Sequence, residues 1–285
     1  ATTEIYTLSL HDALPISRDY AHPVYLKKLI EAAVSLSTIP IAVHLDHGDS
    51  FELCKQCIDE GFTSVMIDAS HDPFEKNVEI CRKVVDYAHK YNCVVEGELG
   101  MLVGAQHDDG EEGGSYSKGG AYTHPEEAVQ FVRQSGVDSL AVAIGNSHGA
   151  YKFKGEQHLD LERLKAIKKA LMDAGLGDYP LVLHGASSVP KDLAQKINKY
   201  GGDLGEETAG VPEADIEVAR RTGCTKVNID TDLRLAMTAA IREVLSTKPK
   251  EFDPRKYLGP ARKAVKELVR HKLRNVLCCA GHAFD

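Results

Sequence analysis

From about residue 41 onward, short apolar runs alternate with stretches of helical periodicity, and this alternation restricts the fold more than any other feature. The strand-like runs lie at 41–45, 64–68, 93–98, 139–145, 180–184 and 224–230. The helical stretches between them lie near 50–60, 74–91, 125–135, 159–174, 190–199 and 213–222. Since parallel strands are joined by crossover helices, strict alternation predicts an α/β fold whose parallel sheet is either open or closed into a barrel.

The two ends of the chain depart from this alternation. Residues 1–17 have no clear period, and we interpret them as an atypical or foreign N-terminal segment, with the domain spanning 18–285. A helical pattern covers 20–37, with Leu26, Leu29 and Val34 on one side, and the tail from about 231 to 271 is almost wholly helical.

Size and charge exclude several classes of protein. A chain of 285 residues, 43% of them hydrophobic, suits one large domain, and an α/β barrel commonly takes about 200–250 residues. A net charge of −8 argues against a protein that binds nucleic acid or an acidic membrane surface. The sequence also lacks an apolar run of about 18 residues and a signal peptide, so we expect a cytoplasmic protein.

The seven cysteines are scattered and odd in number, which favours free thiols in a reducing compartment. Cys54 and Cys57 have the spacing of a redox or zinc half-site. Because the sequence contains no second pair to complete a zinc site, we interpret them as ordinary thiols on a helix.

Polar residues stand at the end of every strand-like run: Asp46 and His47, Asp68, Glu98, Asn146 to His148, His184, and Asn228 with Asp230. In a parallel α/β protein these ends lie on one face, where barrel enzymes keep their active sites. Asp46 beside His47 would place a general acid or base next to a metal ligand. His47, His148 and His184, from three strands, fit a catalytic zinc site, although a histidine taken alone is more often a hydrogen-bonded polar residue than a metal ligand.

Two turns near the C-terminal strands indicate a phosphate site. They read His184-Gly185-Ala186-Ser187-Ser188 and Asn228-Ile229-Asp230-Thr231-Asp232. Backbone N–H groups at a helix start and the hydroxyls of Ser187 and Thr231 suit a phosphate, and Lys152 and Arg234 would add charge unless they are solvated surface cations. The glycine-rich loop 104–122 is either a lid or a surface insertion.

Taken together, these residues resemble the class II, metal-dependent fructose-bisphosphate aldolases. The matching stretches are His44-Leu-Asp-His-Gly-Asp-Ser-Phe-Glu, Val94-Val-Glu-Gly-Glu-Leu-Gly, Ala141-Val-Ala-Ile-Gly-Asn-Ser-His-Gly-Ala-Tyr-Lys, Leu181-Val-Leu-His-Gly-Ala-Ser-Ser-Val-Pro, Asn228-Ile-Asp-Thr-Asp-Leu-Arg and Phe252-Asp-Pro-Arg-Lys-Tyr-Leu. They follow the family's order from about Arg18 to the C-terminus.

The resemblance implies a TIM (β/α)8-type barrel that reversibly cleaves fructose 1,6-bisphosphate into dihydroxyacetone phosphate and glyceraldehyde 3-phosphate, in glycolysis and gluconeogenesis. By the family's pattern, His47, His148 and His184 hold Zn²⁺, which polarises the ketone and stabilises the enediolate. Asp46 carries the proton of the C4 hydroxyl, and Asp68 and Glu98 match a second or displaced metal position. The substrate-binding residues implied are Gly149, Lys152, Gly185, Ala186, Ser187, Asn228, Ile229, Asp230, Thr231 and Arg234. A homodimer or homotetramer is the expected assembly.

Two departures from the family pattern leave alternatives open. The strand, helix and strand that family members place before Arg18 are not recognisable, so two of the eight barrel strands are expected to be missing. In the glycine-rich loop, Gln106 stands where the family usually has a glutamate, and the role of that glutamate stays unassigned among His107, Glu111 and Glu112. Alternatives are an aldolase for tagatose or sedoheptulose bisphosphate, or a truncated inactive scaffold.

Overall fold

The computed structural model describes residues 20–100, 122–147, 158–205 and 209–283, together with the backbone of 7–8. The strands are β1 Thr7–Leu8, β2 His44–Gly48, β3 Ser64–Ile67, β4 Val94–Leu99, β5 Ser139–Val142, β6 Leu181–Leu183 and β7 Cys224–Val227. The α-helices are α1 Pro23–Ser35, α2 Phe51–Asp59, α3 Phe74–Ala88, α4 Pro125–Ser135, α5 Leu161–Asp173, α6 Lys191–Lys199, α7 Glu213–Thr222, α8 Thr231–Thr247 and α9 Pro254–His271. A π-helix, Lys272–Val276, follows α9 directly.

All strand pairs are parallel, and the sheet order is β1-β7-β6-β5-β4-β3-β2. Strands β2 to β7 therefore lie side by side in chain order, as in a TIM barrel, and the predicted α/β fold is confirmed. β1 and β2 occupy opposite edges, so the described strands form an open, partial barrel. β1 lies within residues 1–17 and pairs with β7, with Leu8 opposite Val227.

Local sequence signals explain where the helices begin and end. Ser50 caps α2 by accepting a hydrogen bond from the backbone N–H of Leu53, and Asp160 caps α5 in the same way. α4 begins at Pro125 and ends at Ser135, and the next residue, Gly136, caps it with a φ of +74°, a conformation that glycine adopts without a steric penalty.

Each strand separates two chemically different layers. Alternate residues, including Leu45, Val65, Val95, Leu140 and Leu183, pack against the helices in one buried hydrophobic cluster. The residues between them face the other side of the sheet, which we define as the inner face. Polar residues of the inner face are His44, Asp46, Glu96, Glu98, His184, Lys226 and Asn228. Most barrel interiors are filled by bulky apolar side chains, so this face is unusually polar.

Helix α1 is the least integrated of the helices. None of its 13 residues is buried, whereas α3 buries six of its 15. The predicted apolar side of this helix is therefore largely solvent-exposed, with Leu29 69% exposed, and only Leu26 of the three predicted residues packs against the core cluster.

The seven cysteines are free thiols, and Cys54 and Cys57 are buried on α2, as expected for ordinary thiols. Across the described ranges, no helix combines the length and apolar character that a membrane span requires.

Candidate metal centre

A β-bulge in β2 brings two neighbouring residues into the same site. Leu45 pairs with Val65 and Gly48 with Ile67, so β2 holds one residue more than β3 over this interval. His47 has a φ of +47°, which is rare for any residue other than glycine. Neighbouring strand residues ordinarily point to opposite faces, and a bulge redirects one of them. The strand predicted at 41–45 therefore lies at 44–48, because pairing continues through the bulge.

The side chains of His47 and His184 meet at this point. His47 Nε2 lies 2.9 Å from His184 Nδ1, and the rings are nearly perpendicular at 80°. Asp46 Oδ1 is 4.0 Å from the first nitrogen and 3.9 Å from the second. Two imidazoles and a carboxylate thus point at one small volume at the ends of β2 and β6.

In each imidazole, the ring nitrogen that faces away from the other histidine lies within hydrogen-bond distance of a carboxylate. Asp68 Oδ2 is 2.8 Å from His47 Nδ1, and Glu96 Oε1 is 2.7 Å from His184 Nε2. A carboxylate at one ring nitrogen directs the lone pair of the other nitrogen outward, which is the arrangement found behind metal-binding histidines. The carboxylates therefore orient both rings toward the shared volume.

Glu96 belongs to a buried network that links His184 to Lys226 and His44. Its Oε2 lies 3.0 Å from Lys226 Nζ, and Lys226 is in turn 3.3 Å from His44 Nε2. Burial opposes ionisation of Glu96, but Lys226 and His184 lower its pKa to about 2. Burial and the Lys226 charge lower the pKa of His44 to about 3, so His44 is neutral at neutral pH. The network therefore contains one ion pair and one neutral histidine.

Burial opposes protonation of His47, but the surrounding carboxylates of Asp46, Asp68 and Glu98 raise its pKa to about 10. In the metal-free chain the 2.9 Å separation of His47 Nε2 and His184 Nδ1 is that of a hydrogen bond, in which one imidazole nitrogen donates and the other accepts.

Glu98 is buried near the same histidine without compensation. Both of its carboxylate oxygens are buried and have no hydrogen-bond partner among the described residues. Burial and then the nearby Asp68 charge raise its pKa well above the ordinary value. Oxygen atoms from Asp68 and Glu98 and a nitrogen of His47 lie within 4.8 Å of one another. A buried carboxylate with no protein partner is one that a cation would satisfy.

Asp46 is the carboxylate that the two histidines keep ionised. Burial would raise its pKa, but His47 and His184 hold it well below its usual range. Asn228 Nδ2 donates to Asp46 Oδ1 over 3.1 Å and thereby fixes the side chain. Asp46 is therefore an ionised, oriented base at the edge of the histidine pair.

The loop after β6 and the start of α8 also meet. Gly185 has a φ of +61°, and a Cβ there would lie 2.2 Å from the carbonyl oxygen of Ser147, so only glycine fits. The Ala186 N–H donates to the Asn228 carbonyl, and Ser187 is buried. Ile229 is buried as well, and Asp230 and Thr231 begin α8. Arg234 is half-exposed and pairs with Asp230 at 2.7 Å.

The structure thus brings together Asp46, His47, Asp68, Glu98, His184 and Asn228, and places Gly185, Ser187, Thr231 and Arg234 on the adjoining loop and helix. His148, Gly149, Lys152 and the loop residues Gln106, His107, Glu111 and Glu112 lie outside the described residues.

Sequence reasoning missed three residues of the site, Glu96, His44 and Lys226. Glu96 stands two positions before Glu98 on one strand, so period-two alternation would have placed both on the inner face. Lys226 interrupts an apolar strand, which is a second available signal.

The donor set fits a divalent metal ion. Imidazole nitrogens with carboxylate oxygens are the ligands that zinc and similar ions use. The paired imidazoles and the unpartnered Glu98 carboxylate satisfy this requirement in the residues described.

The partial barrel and this cluster define the class of the protein, an α/β-barrel protein whose strands carry at their carboxyl ends a cluster of residues that could hold a divalent metal ion. The family model of class-II fructose-bisphosphate aldolase matches residues 13–282. A fructose-bisphosphate aldolase of Giardia intestinalis is 49% identical over 93% of this chain and 79% of its own length. One from Treponema pallidum is 46% identical over 94% and 82%. The crystal structure of the YdjI aldolase from Escherichia coli K12 superposes with a TM-score of 0.68 at 28% identity, over 92% of this chain and 78% of that one.

The chain belongs to the class-II fructose-bisphosphate aldolase family, whose members depend on a metal ion.

Proposed function

We propose that this protein catalyses the zinc-dependent, reversible aldol cleavage of fructose 1,6-bisphosphate to dihydroxyacetone phosphate and glyceraldehyde 3-phosphate. The observation that carries the proposal is the contact of His47 Nε2 with His184 Nδ1 at 2.9 Å, with the ionised Asp46 beside both. Membership of the aldolase family supports the substrate class.

His47 and His184 would hold the metal ion, with His148 as the third histidine that the family resemblance implies. When bound, the ion supplies Lewis acidity that polarises a carbonyl oxygen and offsets developing negative charge. Zinc suits a site with neutral imidazole ligands. Asp68 and Glu98 are proposed as a second or alternative position, since no side chain in the described part of the protein bonds to the Glu98 carboxylate.

Asp46 is proposed to remove the proton of the C4 hydroxyl as the C3–C4 bond breaks. Its low pKa keeps it ionised, and the hydrogen bond from Asn228 directs one oxygen toward the histidine pair. In the synthetic direction Asp46 returns this proton to the new hydroxyl.

The phosphate groups are proposed to bind along the β6–α6 loop and the start of α8. The proposed contacts are Gly149, Lys152, Gly185, Ala186, Ser187, Asn228, Ile229, Asp230, Thr231 and Arg234. The N-terminus of α8 favours an anion, and Arg234 would exchange part of its pairing with Asp230 for a phosphate. The Ala186 N–H already bonds to Asn228, so its contribution is to shape the loop.

The decisive experiment measures cleavage of fructose 1,6-bisphosphate by this 285-residue chain, with added zinc and with excess chelator. We expect turnover that the chelator abolishes and zinc restores. Full activity in excess chelator would exclude the metal-dependent reaction. Cleavage rates for tagatose and sedoheptulose bisphosphates, measured in parallel, identify the preferred sugar.

An Asp46→Asn variant tests the base directly. It keeps the shape of the side chain, so zinc should still bind while turnover falls by about a hundredfold or more. Unchanged turnover in this variant would remove Asp46 from the mechanism.

We further propose that the protein is cytoplasmic and forms a homodimer or homotetramer. Analytical ultracentrifugation would test the oligomeric state.

A further inference from the structure

A buried lysine outside the metal centre connects the C-terminal π-helix to the β6–α6 loop. Lys272 is 1% exposed, and its ammonium lies 2.6 Å from Ser188 Oγ, 2.8 Å from Glu213 Oε1 and 2.8 Å from Asp232 Oδ2. A lysine ammonium has three N–H donors, and three acceptors surround this one. Lys272 therefore has no donor left for a ligand, and its effect must pass through the groups it contacts.

Asp232 transmits that contact to the loop backbone. It is fully buried in the first turn of α8. Its carboxylate accepts hydrogen bonds from the backbone N–H groups of Ser188 at 3.0 Å and Val189 at 2.8 Å, and from the Ser188 hydroxyl at 3.0 Å. The ion pair with Lys272 thus holds in place the carboxylate that fixes the residues directly after Ser187.

The loop needs such a restraint. Val189 has a φ of +49°, which is a strained conformation for a β-branched residue. Conformations of this kind persist only where surrounding contacts enforce them. The bond from the Val189 N–H to Asp232 is one of these contacts, and Lys272 stabilises its acceptor.

We propose that Lys272 is a positioning residue that locks the β6–α6 loop through Asp232, so that Gly185 and Ser187 are preorganised to bind a phosphate group of the substrate. This inference rests on the proposed function, because it assigns the loop to the sugar bisphosphate. The C-terminal π-helix, which lies outside every motif of the resemblance, becomes a determinant of substrate affinity.

The test compares Lys272→Met with Glu213→Gln. Glu213 contacts the same ammonium from α7 but, within the described ranges, makes no hydrogen bond or ion pair with the loop, so its variant is the matched control. We expect Lys272→Met to raise KM for fructose 1,6-bisphosphate about tenfold while kcat changes less than about threefold, since uniform binding is lost. Glu213→Gln should leave KM within about twofold.

Ser188→Ala supplies a milder variant if Lys272→Met does not fold. It removes the hydroxyl that contacts both Lys272 and Asp232 but keeps the ion pair, and we expect KM to rise about threefold. An unchanged KM in folded Lys272→Met and in Ser188→Ala would overturn the proposal. An equal rise of KM in Glu213→Gln would do the same, because it would indicate general destabilisation.

Hydrogen exchange separates this proposal from the aldolase assignment. In Lys272→Met the amides of Ser188 and Val189 should lose protection, while the amides of β6 keep theirs. If the wild-type chain cleaves no sugar bisphosphate, the aldolase proposal fails, and calorimetric titration with inorganic phosphate then tests the loop. If Lys272→Met binds phosphate more weakly than the wild type, the result supports the proposal that Lys272 positions the loop. Equal phosphate affinity would overturn it.

Discussion

In the centre of the sheet and at its β2 edge, one histidine is held by a hydrogen bond to a carboxylate, but the two histidines differ in burial and in the charges around them. In the centre, His184 is fully buried and its partner Glu96 is paired with Lys226. At the edge, the side chains of His47 and Asp68 are each 15% exposed, and His47 stands in a strained backbone bulge. The comparison shows that a carboxylate can orient an imidazole ring whether or not it also contributes strongly to the stability of the fold. Both carboxylates orient a ring, but Glu96 also pairs with a second cationic side chain, the ammonium of Lys226.

The largest expected effect is in the centre. Glu96→Gln should lower the free energy of unfolding by about 3–5 kcal/mol, because it leaves the Lys226 charge without its partner. Zinc affinity should fall about 10–100-fold through the loss of the His184 support. Chemical denaturation and competition with a chelator measure the two quantities. The Lys226→Met/Glu96→Gln double variant should recover part of the stability, and a purely additive result would contradict the ion-pair explanation.

Asp68→Asn is the matched change at the edge. Zinc affinity should again fall about 10–100-fold. The free energy of unfolding should drop by only about 1–2 kcal/mol, because Asp46 still faces the protonated His47 ring after Asp68 is neutralised. The same two assays apply. A stability loss equal to that of Glu96→Gln would break the distinction between edge and centre.

The pH dependence of the metal-free protein also belongs to the edge. A histidine whose folded pKa is raised contributes stability that is complete below its unfolded pKa of about 6.5 and is lost as pH rises through the folded value. With the His47 pKa raised to about 10, metal-free stability should decline between about pH 7 and pH 10. Denaturation across this range measures the decline. His47→Asn should flatten it, and an unchanged slope would assign the effect to another group.

Glu98→Gln should stabilise the metal-free protein by about 1–2 kcal/mol at pH 7, because it removes a buried carboxyl that has a raised pKa and no hydrogen-bond partner in the described structure. Added zinc should stabilise this variant less than it stabilises the wild type, as measured by thermal unfolding. Destabilisation of the metal-free variant would show that the carboxyl makes a favourable contact.

The smallest effect is expected on α1, beyond the β2 edge. Leu29→Ala should change the free energy of unfolding by less than about 0.5 kcal/mol, since the side chain is 69% exposed. Leu164→Ala on α5, where the side chain is fully buried, should cost about 2–5 kcal/mol and serves as the comparison. A large loss at Leu29 would mean that α1 packs against another surface in solution.

Much of the architecture follows from the sequence by itself. Alternating apolar runs and helical periods determine a parallel α/β sheet, because only crossover helices connect parallel strands, and strands β2 to β7 appear in chain order. The polar strand ends led to Asp46, His47, Asp68, Glu98, His184 and Asn228, since parallel strands bring their carboxyl ends to one face.

Tertiary structure alone decided how these residues act. The bulge brings the side chains of Asp46 and His47 to the same site. It depends on the pairing of β2 with β3, which no local sequence pattern encodes. The assignment of Glu96 to His184 and of Asp68 to His47 required distances between residues 88 and 21 positions apart. Lys272 carried no signal at all, because a lysine is ordinarily exposed, and only the packing of the π-helix against Ser188 and Asp232 buries it.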